Sequence, residues 1–169
     1  MEKPTMEKYG YYYQSGFDDQ PSGWMSEGGE DAYYEALKKW EDVSMEGIIK
    51  KYLGDNDIAF TQDSDGTIEL LTSLYGPEWK CKIEVISESE ASICSIFPTI
   101  VPPKQRHDIT NHLMRLNDMR LFGRFELLDS GEITFETHID CTHVPFSEKI
   151  LDKTLFINIA TVQKYISEF

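Results

Sequence analysis

Along residues 121–139, "LFGRFELLDSGEITFETHI", apolar and polar side chains alternate in two runs separated by a small polar turn. A period of two sends successive side chains to opposite faces of a strand. Phe125 and Leu127 therefore share one face, with Arg124 and Glu126 on the other. After "DSG", Ile133, Phe135 and Ile139 fall on the inner face, and Glu132, Thr134, Glu136 and His138 on the outer. The pattern predicts a hairpin with a three-residue loop in which Gly131 takes the positive-φ position. Leu128 then pairs with Glu132, Phe125 with Phe135, and Arg124 with Glu136. A one-residue slip would turn the apolar set outward, so burial enforces this register.

The same period recurs upstream. "IAFTQ" and "TIELLTSLY" flank the turn "DSDG", and "WKCKIEVIS" places Trp79, Cys81, Ile83 and Val85 opposite Lys80, Lys82 and Glu84. "ASICSIF" follows as a further strand. Elsewhere the period lengthens to that of a helix. In "EDAYYEALKKWEDV", Tyr33, Leu37 and Trp40 recur with Ala36 alongside, acids lead and lysines trail, which suits the helix dipole. Ser44 is a good N-cap for a second helix with Met45, Ile48, Ile49, Tyr52 and Leu53 on one stripe and Gly54 as its stop. Pro102–Pro103 opens a third, buried through Ile109, Leu113 and Leu116. The last runs from near Ser147 almost to Phe169, with Leu151, Leu155, Ile159, Val162 and Ile166 as its stripe. Ile150, Phe156 and Ile157 fall outside that stripe. A monomer needs one buried face, so they point to a second contact. The expected fold is α+β: one antiparallel sheet packed with helices, in the order α-β-β-β(-β)-α-β-β-α.

Residues 1–29 show neither period. Their Gly, Ser and Asp content reads as a loop or tail, yet Tyr9, Tyr11, Tyr12, Tyr13, Phe17 and Trp24 are more aromatic than a solvating tail tolerates. Two expectations stand open: a free terminus, or an arm that docks on its own domain or on a partner. The chain divides into residues 1–43, arm plus short helix, and residues 44–169, an α+β domain.

Composition narrows the function. The 169 residues carry 30 acids and 16 bases, a net charge of -14. Residues 1–43 hold ten acids and four bases, 44–101 ten and four, and 102–169 ten and eight. Such a field repels phosphate backbones, so no nucleic-acid partner is expected. The basic stretch of Lys104, Arg106, Arg115, Arg120 and Arg124 reads as a solvated helix face. Three cysteines without paired spacing, no signal-like apolar segment and no membrane-length run point to a cytoplasmic protein with reduced thiols.

Candidate chemistry is sparse. "TQDSDGTIELLT" registers Asp63, Asp65 and Gly66 with a calcium loop, but Thr61 and Thr72 stand where the strong carboxylate ligands belong, so an acidic hairpin turn is expected. "HIDCTH" offers His138, Cys141 and His143, all zinc-ligand types. Their spacing matches no standard pattern, a fourth ligand is missing, and His138 and Cys141 differ in strand parity. Cys141 reads as a small core residue. His107 and His112, five apart on one helix, suit joint ligation poorly. No phosphate loop, nucleophile elbow or H-E-x-x-H motif is present. No metal, no cofactor and no catalytic residue is expected.

From about residue 44 to 169 the chain resembles the YbjN family of bacterial proteins. The resemblance rests on ordered pieces: "KKYLGDNDI", "DSDG", "CSIFPTIVPP", "RHDITNHLMRLNDM" with Leu116–Asn117 near its end, Gly123-Arg124-Phe125, "DSGEITF" and the closing helix. Residues 1–43 lie outside it. The family is similar to the type III secretion chaperone fold, whose members form homodimers that hold extended client segments, and is described as sensory-transduction regulators. The resemblance thus implies a non-enzymatic, homodimeric protein-binding module, regulatory or chaperone-like. The candidate surface comprises Ile150, Phe156 and Ile157 of the last helix with Tyr11, Tyr12, Tyr13 and Trp24 of the arm. Two other classes stay open: a small metal-dependent or Cys/His enzyme using the His138/Cys141/His143 region, and a small-ligand sensor with its site between helix and sheet.

Overall fold

The computed structural model describes residues 3–5, 11–14, 22–25, 29–73, 75–119 and 122–169, with the side chains of 11–14, 22–25, 30, 41 and 42 outside that description. Two compact units divide between Ile48 and Ile49.

In the first unit, strands β1 (Tyr11–Gln14) and β2 (Ser22–Met25) pair antiparallel, Tyr12 opposite Trp24. The expected loop is therefore a short two-stranded ribbon. The period-two signal failed here because apolar residues occupy consecutive positions, as in "YYY". Tyr9 and Phe17 lie outside the described residues. Helix α1 (Gly29–Val43) buries Trp40 and half-buries Tyr33, Ala36 and Leu37, the stripe its spacing predicts. The Lys3 ammonium lies 5.1 Å from the Trp40 ring centroid, a cation–π contact.

Helix α2 (Met45–Asp55) begins as expected: the Gly47 N–H donates to the Ser44 hydroxyl at 3.0 Å. Its end differs. Gly54 is inside the helix, and Asp57, at φ 55, takes the left-handed position instead. The Ile58 N–H reaches the Leu53 carbonyl and the Asp57 N–H reaches Gly54, a Schellman closure. An aspartate tolerates the left-handed conformation, so the glycine in the preceding turn was a decoy.

The second unit is built on a six-stranded antiparallel sheet in the order β3-β4-β5-β6-β8-β7. The strands are β3 (Phe60–Gln62), β4 (Ile68–Thr72), β5 (Trp79–Val85), β6 (Glu90–Ile100), β7 (Arg124–Leu127) and β8 (Glu132–Asp140). Helices α3 (Arg106–Asp118) and α4 (Glu148–Tyr165) complete it, with a 3-10 turn at Pro103–Gln105 leading into α3. The α+β fold and element order are those the sequence predicts, with four strands before α3. β4 is shorter than "TIELLTSLY" suggests: it stops at Thr72, and Tyr75 is exposed.

The "DSDG" turn is an aspartate-centred turn. One Asp63 carboxylate oxygen accepts the N–H groups of Asp65 and Thr67 at 3.0 and 2.9 Å. The later hairpin has the predicted register: Phe125 opposite Phe135, Arg124 opposite Glu136, and the Leu128 N–H donating to the Glu132 carbonyl. The Phe125 and Phe135 rings stack at 4.7 Å, and Gly131 has φ 94. Phe97, Leu113, Leu116, Val162 and Tyr165 join them in one buried cluster.

One face of the sheet carries this core and the helices. The other is polar. Thr61, Glu69, Lys82, Cys94, Glu136 and Arg124 form one register row across all six strands of that face. Glu69 bridges Lys80 at 3.0 Å and Lys82 at 3.7 Å. The hydrogen bond from Lys80 holds its carboxyl below the usual range.

A buried polar knot ties α4 to the middle of the sheet. Asn158, fully buried, accepts the Ser95 hydroxyl at 2.6 Å and donates to the Ile93 and Phe135 carbonyls at 2.8 and 3.1 Å. It also reaches the Thr137 hydroxyl at 3.2 Å, and the Trp79 indole N–H donates to Ser95 at 3.1 Å.

Candidate protein-binding groove

The site grows out of a mismatch in strand length. β7 has four residues and β8 nine, and their pairing begins at Arg124–Glu136. At Gly123 the strand ladder stops, although Gly123 still packs against β8. This glycine has φ 77, and a Cβ there would sit 2.4 Å from the Phe135 ring and 2.7 Å from the Glu136 carbonyl. Thr137–Asp140 of β8 therefore pair with β6 on one side and, among the described residues, with no strand on the other.

Which backbone groups face that free side follows from parity. In an antiparallel strand, a residue's N–H and C=O point to the same neighbour, and the side alternates with each residue. The Glu132 carbonyl accepts from Leu128, toward β7, and the Cys141 N–H donates to Ser89, toward β6. Even-numbered residues of β8 hence aim their backbone toward the β7 side. His138 and Asp140 aim theirs beyond the end of β7, where no strand pairs with them among the described residues.

β7 itself is treated differently. Of its two outward-facing residues, Phe125 and Leu127, Phe125 has its N–H donating to the Asn117 side-chain oxygen at 2.7 Å and its carbonyl accepting from the Asn117 amide at 2.9 Å. One side chain of α3 thus occupies the edge of β7, a device that blocks strand addition. The overhang of β8 has no such cover among the described residues.

Beside the overhang, on the helix-covered face, runs a groove of 540 Å³. Its apolar wall is Phe122, Ile139, Ile150 and Ile157; Lys149 and Lys153 stand on its α4 rim. Neither lysine has an ion-pair partner among the described residues. Asp140 also borders the groove, but its even parity sends the carboxylate to the opposite sheet face. There it accepts the Thr142 hydroxyl and N–H at 2.7 and 2.9 Å, and those bonds hold its carboxyl below the usual range.

The expected surface residues separate. Ile150 and Ile157 are half-buried and line the groove, whereas Phe156 is 65% exposed and lies outside it. Tyr11, Tyr12, Tyr13 and Trp24 are on β1 and β2 of the other unit. Further exposed apolar side chains, Met114, Met119 and Phe122, cluster in sequence at the end of α3.

The Cys/His candidates do not assemble. His138 is exposed, as its parity requires, and its Nε2 lies 3.6 Å from Glu136. Cys141 is buried and His143 exposed, and no metal-holding group of His, Cys, Asp or Glu occurs among the described residues. Burial pushes the Cys81 thiol up to about 12 and the Cys94 thiol up to about 11, with Glu136 adding to the latter. Burial and then Asp140 raise Cys141. None of these thiols is activated as a nucleophile.

At the start of α4, the Tyr52 hydroxyl donates to Asp152 at 2.6 Å and Lys51 bridges Glu148 at 3.3 Å. Burial and that hydrogen bond raise Tyr52 to about 12. These contacts fix α2 against α4 and leave the opposite side of α4 to the groove.

The second unit is thus an α+β domain with one sheet face under helices, an Asn117 amide on the edge of β7, and the end of β8 unpaired among the described residues beside a groove. The family model for YbjN, described as "Putative bacterial sensory transduction regulator", matches residues 47–169, and the chain belongs to that family. No curated protein sequence matches it. Among solved structures, YbjN from E. coli, described as "a putative transcription regulator", is similar at a TM-score of 0.56 and 13% identity, over 71% of this chain and 87% of that one. The type III secretion chaperone SycH of Yersinia pestis, solved with a stable fragment of YscM2, gives a TM-score of 0.47 at 13% identity over 72% and 97%. Among the described residues, no helix is long and apolar enough to cross a membrane.

Proposed function

We propose that this chain is a non-enzymatic protein-binding module of the bacterial cytoplasm, regulatory or chaperone-like, that works as a homodimer. The observation that carries the reading is the open half-edge of β8 beside an apolar groove, in a domain whose other candidate chemistry is inert. A free strand edge offers main-chain hydrogen bonds and a groove offers side-chain pockets, the two parts of strand-based protein recognition. Ile150 and Ile157 contribute to the partner surface. Phe156, exposed on the same helix, and, separately, Tyr11, Tyr12, Tyr13 and Trp24 of the arm are further candidate protein-binding or dimer residues. The family's regulatory description and the chaperone's bound fragment agree in kind with this reading.

Two measurements test it. Light scattering at micromolar concentration should give a mass near twice 19.5 kDa; a clean monomer rejects the dimer. Capture from bacterial lysate on the immobilised full chain should retain proteins that an Ile157→Glu variant loses. Identical retention by both, or none by either, rejects the binding role. A second reading is favoured by the groove volume, which falls in the range of small-molecule sites: a ligand sensor with its site between α4 and the sheet.

A further inference from the structure

We infer that the groove accepts an acidic, extended segment of a partner protein as an added strand on Thr137–Asp140, with its carboxylates held by Lys149 and Lys153. This rests on the protein-binding reading and names the chemistry of the partner.

Three observations converge on it. The backbone of His138 and Asp140 is aimed at the side of the sheet where the β7 ladder has ended at Arg124–Glu136, with no strand partner there among the described residues. A segment continuing the line of β7 would find those donors and acceptors at the spacing of an antiparallel ladder. The dimensions agree. Four strand residues span about 13 Å, and the helical path from Lys149 to Ile157 rises about 12 Å. A stretch of four to six residues would thus lie along both walls at once.

The charges then select the segment. Lys149 and Lys153 stand one helical turn apart on the rim of the groove, without ion-pair partners among the described residues. Side chains of an added strand alternate between the two sheet faces. Those on the helix side meet Ile150, Ile157 and the two ammonium groups, so that face favours an acid next to a β-branched or aliphatic residue. Asp140, the one acid bordering the groove, is on the opposite face and engaged by Thr142. It therefore does not cancel the lysines. The acidic surface elsewhere repels a segment of the same sign, which restricts an acidic partner to this slot.

The test uses the full chain and fluorescein-labelled octapeptides read by fluorescence anisotropy. One has Val and Glu in turn at every second position with Thr between them, so that one face carries both, a second has Lys in place of Glu, and a third is the Val/Glu peptide N-methylated at alternate residues on the strand edge it offers. The Val/Glu peptide should bind at least about tenfold more tightly than the Val/Lys peptide, the size expected for two exposed charge contacts. The double variant Lys149→Glu/Lys153→Glu, at exposed positions and checked for folding by circular dichroism, should reverse that order. N-methylation should weaken binding about tenfold through lost main-chain hydrogen bonds. Equal binding of the two charge types, an unaltered preference in the double variant, or indifference to N-methylation each overturns the inference. Octanoate displacing a fluorescent fatty acid from the same lysines, with no peptide bound, overturns it in favour of a small anionic ligand. Any of these results leaves the broader protein-binding reading to the lysate capture with Ile157→Glu, whose outcome does not depend on the lysines.

Discussion

Replacing Asn158 by alanine should destabilise the domain by about 3–4 kcal/mol. The magnitude follows from the knot. Asn158 is fully buried; its oxygen accepts from Ser95, and the two protons of its amide nitrogen are shared among three acceptors, the Ile93 and Phe135 carbonyls and the Thr137 hydroxyl. Two of its partners are carbonyls on the adjacent strands β6 and β8, which keep their ladder bonds. Their loss costs about 0.5–1 kcal/mol each, at the low end for a net hydrogen bond. The Ser95 hydroxyl is the sharper loss: without Asn158 its proton has only the weakly accepting Cys81 sulfur within reach, and a poorly satisfied buried donor costs about 1–3 kcal/mol. Its own oxygen still receives the Trp79 indole N–H. Urea unfolding followed by circular dichroism reads this directly. With a slope near 2 kcal/mol/M, the midpoint should fall by about 1.5–2 M. A double-mutant cycle with Ser95→Ala isolates the shared bond: removing both partners should cost about 1–2 kcal/mol less than the sum of the single changes. A loss below about 1 kcal/mol for Asn158→Ala, or additivity within about 0.5 kcal/mol, would refute the view that the knot holds α4 to the sheet.

Gly123→Ala should cost more than about 2 kcal/mol, because a Cβ at φ 77 meets the Phe135 ring and a strand carbonyl; near-wild-type stability in urea would show that the chain need not turn there. Phe125→Ala should cost about 3–5 kcal/mol, being buried between Phe97, Phe135 and Tyr165, while Arg124→Ala on the outer face should stay within about 0.5 kcal/mol; similar losses for both would contradict the assigned faces. Stability should also fall at alkaline pH. The folded Cys81 thiol is held up to about 12 against an ordinary 9.0, so above that value the unfolded state loses its proton first and is favoured. The contribution is intact below pH 9 and declines toward pH 12, by at most about 1.4 kcal/mol per pH unit for one thiol. Urea midpoints of Cys81→Ala against wild type across that window should show a shallower decline in the variant; parallel declines would remove Cys81 as the cause.

The strands and their faces were legible because a half-buried sheet writes itself into the sequence with period two. Phe125 against Phe135 and the exposed His138 follow from alternation and one glycine turn alone. The α1 stripe and the Ser44 cap follow equally from spacing and a hydroxyl. The β1–β2 ribbon was not legible, since consecutive tyrosines carry no alternation. The end of α2 was misplaced because glycine is only the commonest left-handed residue, and Asp57 serves here three positions beyond it. Asn158 escaped notice for a related reason. A polar residue between two isoleucines reads as the solvent side of a helix, and only the three-dimensional meeting with Ser95 and two strand carbonyls makes it a core residue.

The groove depends on a different kind of information, the difference between two strand lengths. In "RFEL" the alternation begins at Arg124, immediately after Gly123, whereas in "EITFETHID" it continues through Ile139. With the hairpin register fixed at Phe125–Phe135, counting outward sets Thr137 opposite Gly123 and His138 opposite Phe122, and the structure shows the ladder stopping before either pair forms. What the count cannot supply is whether something else covers the edge. At β7 something does: Asn117 presents an amide to Phe125 as a strand would. Beyond Arg124 the β7 ladder stops, and His138 and Asp140 keep unpaired backbone among the described residues. Edge protection on β7 and edge exposure on β8 thus lie side by side, so a change that extends β7 past Gly123 would cover the half-edge beside the groove as it lengthened the sheet.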